Sequence, residues 1–292
     1  MVRATLMPAA PISALLALAL LCLTAWPAAG QGRDRRLSHC IAIADATPGV
    51  TYLHKAAFND PVPGFSARIS YLSHSMFLIQ TPGGLSAVTD YDGWIGTADF
   101  LPDVVTMNHA HSSHWTPAPD PAIPHVLKGW SNNYGAAADH YLDLGEMLIR
   151  NVSTDIRAMG GLGEGGVEEN GNSIFVFEVE GLCIGHLGHL HHEPNEEQYA
   201  ALGRVDVLMA PVDGGMTLDL PSMIRVVTRL KSSVVLPMHW FSDASLHWFI
   251  EGVSDAFEVR YPGGSEITLS LRDLPSRPTL IVLDPAPLRA GR

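Results

Sequence analysis

The sequence predicts a layered α/β domain with mixed sheets. Two observations carry that expectation. Short apolar runs bounded by turn residues follow one another in the first half, and in the second half such runs alternate with segments of helical spacing. A hydrophobic fraction of 47%, with no short repeat and no low-complexity tract, describes a folded chain and a single domain over residues 66–292.

In chain order, residues 31–65 are polar and Pro-rich and read as a loosely packed lead-in. Strand patterns follow at Ala67–Leu72, Ser75–Gln80, Leu85–Thr89 and Asp103–Met107, with Thr81-Pro82-Gly83-Gly84 as a hairpin turn between the second and third. Further strands are expected at Glu146–Val152, Ser173–Glu178, Leu182–Gly185, Val205–Ala210, Ser233–Pro237, Glu266–Leu271 and Thr279–Leu283. A helix is expected at Glu196–Leu202, with Asn195 as its N-cap. Another is expected at Pro221–Leu230, where Met223, Val226, Val227 and Leu230 recur at helical spacing, and a weaker pattern covers Leu246–Val253.

Residues 1–30 read as an address rather than as fold. Arg3 precedes an apolar run from Ile12 to Trp26, and Ala28 and Gly30 offer a small-residue exit before Gln31, the pattern of a secretory signal peptide. The run is short against the ~20 residues of a membrane span. Cys22 follows Leu21 rather than a small residue, which disfavours a lipoprotein site. The expected location is therefore periplasmic or secreted, with no membrane span after cleavage. Cys40 and Cys183 could pair in such a compartment, but Cys183 sits in an apolar strand, and buried free thiols are the favoured reading. Eighteen Lys and Arg against 30 Asp and Glu give a net charge of −12, which excludes a polyanion grip and hence a nucleic-acid partner.

Histidine is the unusual residue. Fourteen are present, and seven of them fall in residues 109–114 and 186–192. The strand Asp103–Met107 runs into His109-Ala-His111-Ser-Ser-His114. Residues two apart in extended backbone share a face, so His109 and His111 can grip one ion, and His114 returns after a turn. Imidazoles at that spacing suit Zn²⁺. A lone histidine would be read as core or loop; three at a strand end favour metal. The second cluster, His186-Leu-Gly-His189-Leu-His191-His192, again ends an apolar strand, and His239 closes the apolar run Val234–Met238. Four histidines cannot all ligate in the second cluster, so His186, His191 and His192 are read as support or surface. Strand ends of this kind converge at one rim in layered α/β folds.

In this order the motifs resemble the metallo-β-lactamase superfamily: Ala87-Val-Thr-Asp90, then H-x-H-x-x-H, then GHLGH, then Pro211-Val-Asp213-Gly-Gly, then Leu236-Pro-Met-His239. The resemblance runs from about Ile69 to His239 and is similar to the broad branch holding ascorbate-phosphate lactonases and N-acyl-phosphatidylethanolamine phospholipase D-like proteins. It implies a four-layer αββα sandwich with one or two metal ions between the sheets.

The pattern departs from the family at three ligand positions. Ser113 stands where a carboxylate is usual in HxHxDH, His189 stands where GHLGD would give an Asp, and residues 158–172 hold no histidine. Without the carboxylates, neutral imidazoles cannot bridge two cations, so one ion is expected rather than two. The metal candidates are His109, His111, His114, His189 and His239, with either His109, His111 and His189 or His114, His189 and His239 as the trio. Asp90, Asp213 and Glu168 are candidates to orient a ligand or act as general base, with a structural turn as the alternative for each. Trp115 and Trp240 each follow a His motif and could wall a pocket for a small-molecule substrate. The resulting expectation is an exported metal-dependent hydrolase acting on an ester, lactone, amide or phosphodiester bond. The rival is a protein of the same fold that has lost catalysis and binds a metal or a partner.

Overall fold

The computed structural model describes residues 36–42, 58–108, 111–133, 135–158 and 166–290. The segment expected to be a signal peptide, most of the lead-in, His109 and residues 159–165 lie outside the described residues. Leu37–Arg292 forms one compact unit.

Two sheets pack face to face. The first joins β1 (Ser66–Ser73), β2 (Met76–Gln80), β3 (Ser86–Val88), β4 (Val104–Met107), β5 (His125–Lys128) and β13 (Glu266–Ser270), in the order β13-β1-β2-β3-β4-β5. The second contains β6 (Tyr141–Asp143), β7 (Met147–Arg157), β8 (Val167–Val179), β9 (Leu182–His186), β10 (Val207–Pro211), β11 (Val234–Met238), β12 (Glu258–Arg260) and β14 (Thr279–Ile281), in the order β12-β14-β11-β10-β9-β8-β7-β6.

Strand parity explains the layering. On β8, Phe175, Phe177 and Val179 join Ile69, Phe77, Ile79, Ile184 and Met209 in the core between the sheets. Ile174 and Val176, one residue out of phase, face a second core with Leu208 and Val235. That second core is completed by α3 (Leu220–Leu230), through Met223, Val226 and Val227, and by α4 (Asp243–Val253), through Leu246, Phe249 and Val253. β8 is apolar on both sides because both sides are covered. The outer face of the first sheet packs Leu72, Leu78, Val88 and Met107 against Ile123, Trp115 and Trp130. Among the described residues this layer is built by loops rather than helices.

The helix α2 (Glu196–Leu202) starts where the sequence places it: the Asn195 side chain accepts from the Gln198 amide, and the Gln198 side chain reaches back to the Asn195 amide. α3 begins one residue earlier than expected, capped by Asp219, and α4 starts at Asp243 rather than Leu246.

Two regions differ more. The β7–β8 ladder extends to Arg157↔Val167, so Val167–Asn172, outside every strand expected from sequence, is strand. Its Gly and Glu content hid it, because this arm is partly solvated and has no apolar alternation. The short strands β5, β6 and β12 were likewise not read.

The second difference is at the N-terminal end. Cys40, on the four-residue helix α1 (His39–Ala42), forms a disulfide with Cys183 of β9, where free thiols were expected. Both cysteines are buried, and their separation of 143 residues left the pairing unreadable from spacing. Beside the bridge, Glu178 accepts hydrogen bonds from Ser38 Oγ, from the His39 amide at 3.1 Å and from Arg150 Nε at 3.1 Å. Residues 38–42 are therefore fastened to the sheet, unlike the loose lead-in anticipated for 31–65.

Candidate metal centre

Strand direction assembles the site. β1 and β3 are both antiparallel to β2 and so run the same way, and β3 and β4 are parallel. In the second sheet β9, β10 and β11 are also parallel. The carboxyl ends of these strands deliver His74 after β1, Asp90 after β3, His111 and His114 after β4, His189 after β9, Asp213 after β10 and His239 after β11. A cleft of about 520 Å³ lined by Phe58, Val62, Gln80 and Phe100 lies elsewhere, at the far end of β2 from His74.

The rings of His111, His114, His189 and His239 gather at the rim. Their centroids are 4.5 Å apart for His111–His114, 4.7 Å for His111–His189 and for His114–His189, 4.9 Å for His189–His239 and 5.1 Å for His114–His239. His114, His189 and His239 are buried.

Carboxylates fix two of the rings. His114 Nδ1 donates to Asp90 Oδ2 at 2.7 Å, and His239 Nδ1 donates to Asp213 Oδ2 at 2.8 Å. Burial alone would raise the Asp90 carboxyl, but the His114 charge and hydrogen bond, with His186 and Asn108, pull it below its ordinary value. Asp213 is likewise pulled below the usual range by His239 and Thr217 against the effect of burial. Asp213 also accepts from the amides of Gly215, Met216 and Thr217, and Asn108 Nδ2 donates to Asp90 Oδ1 at 2.7 Å. Asp90 and Asp213 thus act on the centre through imidazole.

These bonds determine what the other nitrogens carry. With Nδ1 protonated on both rings, His114 Nε2 and His239 Nε2 each present a lone pair, yet they stand 3.2 Å apart. Two buried ring nitrogens so placed are satisfied by a shared proton or by a bound metal ion. Two ligand nitrogens on one tetrahedral zinc, at bond lengths of ~2.0–2.1 Å, stand roughly 3.3 Å apart, so the residues present fit the ion that the fold family implies.

Burial and neighbouring groups act on the other rings. Burial first, then the nearby charge of His114 and His239, pushes His111 down to about 4. His189 is pushed further down by the same causes, and His191 to about 4 by burial, Arg157 and His192. Ser113 Oγ lies 2.7 Å from His111 Nδ1, so the residue in the carboxylate position orients a ligand ring instead. His186 spans to the Ser75 carbonyl at 2.7 Å and supports the rim from below. Gly188, at φ 60°, is required beside His189: a Cβ there would lie 2.5 Å from both Asn108 Nδ2 and Asn172 Oδ1.

Other expected residues sit elsewhere. Glu168 pairs with Ile156 in the β7–β8 ladder. Trp115 packs edge-on against Trp130, and Trp240 packs near Tyr71 and in the cores on both faces of the second sheet. The aromatic against the centre is Phe241, 5.1 Å from the His239 ring and 61% exposed, one residue beyond the tryptophan singled out from sequence.

Sequence reasoning also missed His74. Its ligand nitrogen and those of His111, His114 and His239 all lie within 4.8 Å of one another. It stands alone between two strands, where a histidine carries no motif. Backbone strain marks it in the structure: His74, Asp90 and His239 have φ of 45°, 44° and 58°, in the left-handed region that non-glycine residues occupy at a cost of about 1–3 kcal/mol.

Comparison with known proteins agrees with this architecture. A protein of Carboxydothermus hydrogenoformans named UPF0173 metal-dependent hydrolase is 25% identical over 199 residues, covering 59% of this chain and 84% of that protein. A protein of the same name from Nanoarchaeum equitans is 25% identical over 193 residues, covering 59% and 83%. Among solved structures, one from Thermotoga maritima named as a Zn-dependent hydrolase of the metallo-β-lactamase superfamily superposes with a TM-score of 0.52 at 22% identity, covering 74% of this chain and 98% of that one. Igni18 from Ignicoccus hospitalis, named a metallo hydrolase, superposes with a TM-score of 0.50 at 18% identity, covering 70% and 99%. Residues 68–239, from β1 to the last histidine of the centre, match the family described as Beta-lactamase superfamily domain, and the chain belongs to that superfamily.

Proposed function

We propose that this protein is an exported hydrolase that uses one zinc ion to cleave an ester, lactone, amide or phosphodiester bond in a small-molecule substrate. The facing lone pairs of His114 and His239 at 3.2 Å carry the reading. The relatives named metal-dependent hydrolases support it.

His114 and His239, with His111, hold the ion in this reading. A zinc ion so held supplies Lewis acidity and lowers the pKa of water toward neutrality. An all-imidazole set favours zinc and its late transition-metal neighbours over magnesium or manganese. Asp90 and Asp213 keep Nδ1 of their partner rings protonated, so Nε2 stays a donor to metal, and they balance the ion's charge through those rings. Phe241 offers an apolar wall at the open side. Export is supported by the Ile12–Trp26 run and by the Cys40–Cys183 bridge, a bond that persists in oxidising compartments.

The rival, a binding protein without turnover, is motivated by Ser113 and His189 in carboxylate positions. Metal analysis joined to turnover of 4-nitrophenyl acetate and bis(4-nitrophenyl) phosphate separates the two. The hydrolase reading expects bound zinc and turnover that disappears in His239→Ala. Zinc without turnover favours the metal-binding rival, and a metal-free wild type overturns the hydrolase reading and leaves a partner-binding protein. Amino-terminal sequencing of protein recovered from the periplasm or medium tests export, with Gln31 the expected first residue.

A further inference from the structure

Hydrogen-bond polarity divides the five rings at the rim into two kinds. The Arg157 backbone N–H, which can only donate, meets His191 Nδ1 at 2.6 Å. His191 Nδ1 is therefore an acceptor, and neutral His191 carries its proton on Nε2. That proton points at His189 Nδ1, 2.6 Å away. His189 Nδ1 is then also an acceptor, which leaves the His189 proton on Nε2. This N–H faces His111 Nε2 at 3.0 Å; that nitrogen has one lone pair, so when it holds an ion the His189 N–H is released toward the centre. A backbone amide thus sets the polarity of the whole row and turns His189 into a donor toward the centre. His114 and His239 have the opposite polarity, because carboxylates hold their protons on Nδ1.

His74 has the feature that His189 lacks. Its Nε2 is buried with no hydrogen-bond partner, a costly state for a buried polar atom. Its ring lies 4.1 Å from that of His239 and 5.2 Å from that of His114. Its carbonyl accepts from the His239 amide at 2.9 Å and from Tyr71 Oη at 2.6 Å, which pins the strained turn onto the end of β11. Its ligand atom shares one 4.8 Å neighbourhood with those of His111, His114 and His239.

We infer that, among the described residues, His74 rather than His189 joins His111, His114 and His239 as a metal ligand, and that His191 and the Arg157 amide hold His189 as an N–H donor facing the reacting centre. This rests on the metal-dependent reading above. A histidine in the usual bridging-carboxylate position thereby has a definite part: it cannot bridge cations, but it can donate to an oxygen bound beside the ion.

The test reads metal and tautomer rather than turnover. In zinc-loaded wild type labelled with ¹⁵N at histidine, long-range ¹H–¹⁵N spectra are expected to show His189 with a protonated Nε2 and an unprotonated Nδ1. The Nε2 of His74 is expected at a metal-bound shift. In chelator competition, His74→Asn is expected to weaken zinc binding at least tenfold, and His189→Gln, which retains an N–H donor, to bind zinc within a few-fold of wild type. Asparagine tolerates the left-handed backbone at residue 74, so that variant leaves the turn unstrained. A metal-bound shift at His189 Nε2, zinc loss in His189→Gln, or unchanged affinity in His74→Asn overturns the inference. The wild-type spectrum decides even if a variant fails to fold. Failure of the metal-dependent reading itself is distinguishable, because wild type would then bind no zinc.

Discussion

Two buried polar clusters in this molecule look alike in composition and differ in polarity. At the N-terminal anchor, Glu178 accepts from Ser38, His39 and Arg150, and Arg150 spends Nη1 and Nη2 on the Ala201 and Leu202 carbonyls at 2.7 Å each. Here the carboxylate and the guanidinium are matched and the disulfide closes the cluster, with His39 Nε2 the one nitrogen of the group buried without a hydrogen-bond partner among the described residues. At the histidine rim His74 Nε2 is buried without a partner, and His114 Nε2 and His239 Nε2 face each other 3.2 Å apart with both Nδ1 atoms already committed to carboxylates. A cluster whose charges are matched within itself is scaffold; one that gathers ring nitrogens around an unmatched contact is a site.

The largest effect that separates the clusters is on activity. Prolonged chelation, or His114→Ala, is expected to reduce hydrolysis to the background rate, while Glu178→Gln in folded protein leaves it near wild type. Turnover assays before and after zinc readdition check this, and activity that survives exhaustive chelation breaks the contrast. On stability the order reverses. Glu178→Ala leaves the Arg150 cation buried and unpaired and is expected to cost about 3–5 kcal/mol in denaturant titration. Cys40→Ser is expected to cost about 2–5 kcal/mol by opening the bridge. Neither is expected to change the metal content of the folded fraction.

Asp213→Asn is the intermediate case. It is expected to weaken zinc binding about 10–100-fold, because the His239 tautomer is no longer enforced, with little change in the stability of the metal-free protein. Competition with a chromophoric chelator measures it. The smallest effect is a pair of acid steps in the metal-free protein. His111 and His191 are held near 4, below the ordinary 6.5, so they are neutral in the fold at a pH where the unfolded chain already takes up protons. Their contribution is present above about 6.5 and is lost as pH falls toward 4. Glu178 is lowered from 4.5 to about 2, against burial, by its His39, Ser38 and Arg150 partners. Its contribution is present above 4.5 and lost as pH falls toward 2. Denaturant midpoints across pH are expected to show both losses in wild type and a smaller lower one in Glu178→Gln, where Asp90 and Asp213, also held below the ordinary carboxyl value, still contribute.

Much of the site was legible because strand ends write it into the chain. Asp90, His111, His114, His189, Asp213 and His239 each follow an apolar run closely, and parallel strands bring such ends to one rim. His74 was not legible: its partners lie 37, 40 and 165 residues away at His111, His114 and His239, and a single histidine between strands has no period. The donor role inferred for His189 was not legible for a different reason. The sequence shows which ring stands there, but the amide of Arg157 decides where its proton sits. The β7–β8 extension escaped because solvated strands lose the alternation that reveals buried ones, and the disulfide because nothing local links Cys40 to Cys183.

The most direct measurement is the zinc content of purified, folded wild type beside His114→Ala and Glu178→Ala. If the facing acceptors at the histidine rim are the metal site and the Glu178 cluster is scaffold, wild type and Glu178→Ala carry one zinc per chain and His114→Ala carries none. Zinc-free wild type, or zinc retained in His114→Ala, contradicts the account.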